Sequence, residues 1–266
     1  MDMMTVLKKH KKQWLALTGA LILLIALLGA RPAWYAFQDL TFYWTDRTET
    51  ELKVKAYAEK HGLFYAQYPK SLIELLERNP ETEDFVLEYP LREEQETDLS
   101  GYDRKAGVPL FLQWDPMWGY EIYGSDYLAV TGCGPTCLAM AGYYLTGSIN
   151  MNPGDIAVFA EENGYYAAGY GSSWTLISEG SARLGLTATE LPLVKGKIVK
   201  ALEAGNPVIL AMGEGDFTTT GHYIVLTGVE EGGFRVNDPN SVENSQKLWS
   251  YEQIESQIRN IWEISL

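Results

Sequence analysis

The longest apolar run lies near the start of the chain. WLALTGALILLIALLGA, Trp14 to Ala30, holds no charged residue, and Lys8, Lys9, Lys11 and Lys12 precede it. Arg31 and Pro32 close it, and Trp34 and Tyr35 follow where interfacial aromatics sit. The run is just long enough to span a bilayer core. Beyond it, residues 37–65 interleave charged positions with Leu52, Val54, Ala56 and Tyr57, a helical texture. Leu72 to Leu76 makes a short second segment, ended by Arg78-Asn79-Pro80. Glu81 to Tyr89 opens on Pro-Glu-Thr-Glu, a helix-start signature, and stops at Pro90. Glu93 to Ser100 is acidic and lacks apolar periodicity, as expected of a linker or exposed loop.

From about Val108 the pattern changes. Short runs rich in β-branched and aromatic residues alternate with Gly, Asn, Asp and Pro clusters. Helices are predicted from Cys137 to Leu145 with Gly147 as a stop, from Asp155 to Glu162, from Leu176 to Leu184, and from Ile198 to Ala204. VILAM, Val208 to Met212, reads as a buried strand, and HYIVLTGV–EEGG–FRVND as a β-hairpin. Helices first and strands second predict an α+β domain. No internal repeat is present. The organisation expected is therefore a basic tail and membrane segment over 1–36, a helical stalk and acidic linker over 37–107, and the α+β domain over 108–266.

Composition refines this picture. Hydrophobic content of 46% with 12% aromatics is that of a globular chain. The net charge of −14 argues against a nucleic-acid partner. A cleaved signal peptide would need small residues at −3 and −1. Cutting after Ala30 puts Leu28 at −3, and cutting after Ala33 puts Arg31 there, so the run reads as an uncleaved anchor. The lysines then mark the cytoplasmic side, with an acidic remainder outside.

Candidate chemistry is scarce, which helps. The chain has 2 cysteines and 3 histidines, and only His222 falls within the last domain. Metal sites are unexpected, since no HExxH or CxxC spacing occurs, and no cofactor motif such as GxxxxGK[ST] appears. Pro135 suits the first turn of a helix, which places Cys133 at the N-terminus of the helix running through Leu145. There the helix dipole and free backbone N–H groups favour a thiolate. Gly132 and Gly134 would let the backbone turn and leave room for a substrate carbonyl. In the hairpin, His222 and Asp238 interrupt otherwise apolar faces near one open end, as a base and its orienter would. Asn237 or Asn240 is the alternative orienter. Cys137, one turn beyond Cys133, fits a core stripe, and a disulfide between residues four apart on a helix has the wrong geometry.

The set Gln113-Trp114-Asp115…Trp118, Gly132-Cys133-Gly134-Pro135-Thr136, Gly221-His222-Tyr223 and Asn237-Asp238-Pro239-Asn240-Ser241 resembles the C39-like cysteine peptidases of bacteria. The resemblance runs from about Val108 to the C-terminus. It implies a papain-like fold, Cys133 as nucleophile, His222 as general base, Asp238 as its orienter and Gln113 as an oxyanion donor. One such donor is worth about 3 kcal/mol of transition-state stabilisation. The expected activity is hydrolysis of a peptide or amide bond through an acyl-enzyme, by an enzyme outside the cytoplasm. The alternatives are a silent papain-fold binding module, or a thiol acyltransferase or amidase acting on wall peptides.

Overall fold

The structure, a computed structural model, describes residues 31–169 and 171–266, with side chains from Ala33 onward. The apolar run Trp14 to Ala30 and its flanking lysines lie outside the described residues. Among the described residues no helix is long and apolar enough to cross a membrane.

Two compact units divide after Glu74. The first holds α1 (Arg31–Leu40) and α2 (Glu49–Lys60). Thr48 and Glu51 form a capping box on α2: the Thr48 hydroxyl accepts from Glu51 N at 3.1 Å, and the Glu51 carboxylate from Thr48 N at 2.9 Å. Buried Lys55 pairs with Asp39 at 2.7 Å. The boundary falls inside α3 (Lys70–Arg78). The stalk expected over 37–107 is thus split, because residues from Leu75 onward group with the domain that carries the sheet. Bonds that periodicity does not reveal account for this: Phe85 stacks on Tyr120 with centroids 4.2 Å apart, and Asn79 bonds Asn240.

The second unit begins its helices with α4 (Glu83–Leu87) and leaves residues 93–99 without regular structure. A small hairpin, β1 (Ile122–Tyr123) and β2 (Asp126–Tyr127), leads into α5 (Leu128–Thr131) and α6 (Cys133–Thr146). Then come α7 (Pro153–Glu162), the short pair β3 (Tyr166–Ala167) and β4 (Gly171–Ser172), and a single wide turn, Leu176–Gly180, continued by α8 (Ser181–Arg183). The remainder is β5 (Thr187–Glu190), α9 (Lys195–Glu203), β6 (Val208–Met212), β7 (His222–Glu230), β8 (Gly233–Asn237), α10 (Val242–Ser245), β9 (Leu248–Trp249), α11 (Tyr251–Ile254) and β10 (Ile258–Ser265). Six of these strands form one sheet in the order β5-β10-β6-β7-β8-β9, every pair antiparallel. The unit is α+β.

Both faces of the sheet are covered. On one, Leu138, Met140 and Ala141 of α6 pack with Ile209, Ala211, Tyr223, Val225 and Trp262. On the other, Ile198 and Ala201 of α9 join Leu210, Ile224, Leu226 and Val236. Each Leu, Ile, Val or Met side chain so buried contributes about 1.5–3 kcal/mol. Strand β6 is buried at every position, which is why VILAM reads as an unbroken apolar run. The pattern missed β5 and β10. TATE is a mostly exposed edge, and β10 mixes Arg259, Asn260 and Glu263 with its apolar residues, so neither shows clean alternation.

Candidate active site

Cys133 is the first residue of α6, with Gly132 as N-cap and Pro135 in the first turn. The first backbone N–H groups of a helix have no partner within it and point out beside this residue. Thr136 ties the turn down, its hydroxyl donating to Gly132 O at 2.8 Å. The glycines play a different part from the one expected. A Cβ on Gly132 would sit 2.5 Å from Leu128 O, and one on Gly134 would sit 2.5 Å from Ser172 Oγ. The space beside both is filled by the protein's own atoms, so they permit close packing rather than substrate approach. At the other end, Gly147 takes φ 71°, the left-handed cap predicted for a stop there.

His222 opens β7, and its Nε2 donates to Asp238 Oδ1 at 2.7 Å. Cys133 lines the same cleft as the imidazole, and Nδ1 is the ring nitrogen that Asp238 leaves free. Asp238 is buried, and Oδ1 accepts a second bond from Asn240 N at 2.9 Å while Oδ2 accepts from Asn244 Nδ2 at 2.9 Å. Burial alone would push this carboxyl up; the facing imidazolium and the hydrogen bonds outweigh it, and the net is a shift below the usual range. For His222, burial opposes the charged form, but the Asp238 charge, its hydrogen bond and the contact with Cys133 prevail, raising it to about 10. Cys137 is fully buried among apolar groups, and burial pushes its thiol well up. Both cysteines are free.

The hairpin brings the pair together with a displaced register. Val225 faces Asn237 and Leu226 faces Val236, and a bulge follows before Gly228. β8 ends at Asn237, and Asp238 follows on the turn that bridges back to Ser241, where its carboxylate meets the imidazole at the start of β7. Of the alternative orienters, Asn237 turns its amide to the carbonyls of Val108 and Pro109 at 3.0 and 2.9 Å. Asn240 offers Asp238 its backbone N–H. Neither side chain is on the imidazole.

Gln113 is buried, its backbone N–H bound to Pro239 O at 2.8 Å and its Nε2 to Ala129 O at 2.7 Å. That carbonyl fixes the amide's orientation, since a flip would set two oxygens against each other. One N–H of the amide remains for another acceptor, while Oε1 is buried with no partner among the described residues.

A cleft of about 260 Å³ is lined by Cys133 and His222 together with Trp174, Met212, Thr220 and Arg259. Sequence reasoning missed several of its parts. Ser172 Oγ bonds Tyr123 OH at 2.8 Å, and Tyr223 OH donates to Ser172 O at 3.2 Å, bracing the wall behind α6. Arg259 lies over Gly213, where a Cβ would come within 2.4 Å of its Nε. Its strand went unrecognised, so no signal placed it. Asn244 sits in an ordinary turn composition, and only the fold gives it a carboxylate to hold.

The model of the Peptidase_C39 like family matches residues 105–265, and the chain belongs to that family. Among solved structures, the chain is similar to the peptidase domain of Streptococcus ComA, described as a bi-functional ABC transporter involved in a quorum-sensing pathway. The identity is 22%, over 50% of this chain and 89% of that one, with a TM-score of 0.37. It is also similar to a Bacillus anthracis protein described as a C39-like peptidase, at 18% identity over 59% of this chain and 94% of that one, with a TM-score of 0.36. Curated proteins give no match.

Proposed function

We propose that the chain is a cysteine peptidase that hydrolyses a peptide or amide bond through an acyl-enzyme on Cys133. The observation that carries this is the His222–Asp238 pair, bonded at 2.7 Å, in one cleft with Cys133 at the tip of α6. Cys133 Sγ attacks the scissile carbonyl carbon, and the oxyanion that forms is met by the Cys133 backbone N–H and the spare Gln113 N–H. The C–N bond then breaks, and the amine leaves with the proton carried by His222. Water next attacks the thioester carbonyl and gives one proton to His222; the C–S bond breaks, Cys133 Sγ keeps the bonding electron pair, and the carboxylic acid departs. Asp238 holds the imidazole in one orientation and stabilises its charged form through both steps.

The reading includes a place of action. A span at Trp14–Ala30 with the lysines inside would hold the catalytic unit outside the cytoplasm, where peptides, proteins and wall-linked peptides are the available substrates. Mild protease treatment of intact cells tests this: the catalytic unit should be shaved off, and full protection until lysis would refute the topology. The chemistry is tested by a thiol-directed acylating probe. Cys133→Ala should abolish labelling and Cys137→Ala should leave it intact; the reverse pattern would sink the assignment.

A further inference from the structure

Asp238 is buried on a turn, and a buried carboxylate keeps its direction only if the turn is held. Part of what holds it comes from far earlier in the chain. Glu81 accepts from Ser241 Oγ at 2.6 Å and from Val242 N at 2.8 Å, and reaches Glu243 N at 3.4 Å. Asn79 Nδ2 donates to Asn240 O at 2.5 Å, and Asn79 Oδ1 accepts from Glu81 N at 3.1 Å, locking the two residues to each other. Trp114 Nε1 adds a bond to the same Asn240 carbonyl at 3.2 Å. The residues so gripped, 240 to 243, lie between the two groups that fix the Asp238 carboxylate, Asn240 N and Asn244 Nδ2. Asn79 is itself buried. Both Asn79 and Glu81 lie before residue 105, where the family match begins.

We propose that Asn79 and Glu81 are positioning residues for the active site, clamping the 240–243 turn so that Asp238 stays against His222. A carboxylate accepting several hydrogen bonds from one turn is a rigid strut, since charge-assisted bonds are about twice as strong as neutral ones. Without it the turn keeps its local bonds, but Asp238 loses the anchor that sets its distance from the imidazole. The geometry stands by itself; its consequence for catalysis rests on the peptidase reading.

The test is made on the full chain by NMR of the histidine rings, of which there are only 3. The titratable groups acting on His222 are Asp238 and Cys133. Glu81→Ala should lower the His222 titration midpoint by about one pH unit, a ten-fold loss in preference for the charged ring. Asn79→Ala, the milder change, should move it the same way by less, and keeps the test available if Glu81→Ala fails to fold. In an Asp238→Asn background neither change should shift the midpoint further, because both act through that carboxylate. Gly147→Ala, which weakens the far end of α6, should lower stability without moving the midpoint. An unshifted His222 midpoint in folded Glu81→Ala and Asn79→Ala would overturn the proposal. The peptidase reading fails by a separate result: iodoacetamide labelling that survives Cys133→Ala.

Discussion

Asp238 has the least exposed surface of the residues on the imidazole, and its charge is what keeps His222 protonated well into alkaline solution. That has a consequence for stability with a definite sign. The His222 pKa rises to about 10 on folding from about 6.5 in the unfolded chain. Its contribution is therefore complete below about pH 6.5 and is lost as pH climbs from there to about 10. Asp238, shifted down, contributes above about pH 4 and loses that contribution as pH falls. The difference in urea midpoint between wild type and Asp238→Asn should be largest near pH 5–6.5 and shrink steadily toward pH 10. A difference that stays flat over that range would mean the pair is not charged as described. Cys133, His222 and Asp238 were legible in the sequence because cysteine and histidine are so scarce and because a proline sits in the helix's first turn. Asn244 and Arg259 were not, since each gains its meaning from a neighbour distant in sequence.

At the scale of elements, α6 does most of the positioning. It carries Cys133 at one end, buries Cys137, Leu138 and Met140 along its length, and ends at Gly147 in the left-handed region. Gly147→Ala should cost about 1 kcal/mol, measured by chemical unfolding, with the rate of Cys133 labelling unchanged. Gly134→Ala should behave differently. Its new methyl group would press on Ser172 Oγ, already bonded to Tyr123, so both stability and labelling should fall. Equal stability of Gly134→Ala and wild type would contradict the packing described. Helix periodicity and the buried β6 run made α6, α7, α9 and the hairpin readable in advance. The edge strand β5 and the mixed strand β10 were not, because half-exposed strands mix polar and apolar residues without a period.

Across the whole molecule, the compact unit that carries the sheet is larger than the family match. Residues from Leu75 group with the sheet, although acidic composition and helical texture placed everything to 107 in a stalk. Sequence pattern detects faces, whereas the bonds from Asn79 and Glu81 to residues 240–243 join segments with no pattern in common. A fragment starting at Lys70, which keeps α3 intact, should unfold cooperatively and retain Cys133 labelling. One starting at Lys105 should label more slowly or fail to fold, and equal behaviour of the two would show the added segment to be dispensable. Peptide-bond hydrolysis by Cys133 is tested by incubating a peptide library with the full chain. Mass spectrometry should find new cleavage products with wild type and none with Cys133→Ala. An uncut library, or the same cuts in both, would exclude Cys133 as the nucleophile of a peptidase.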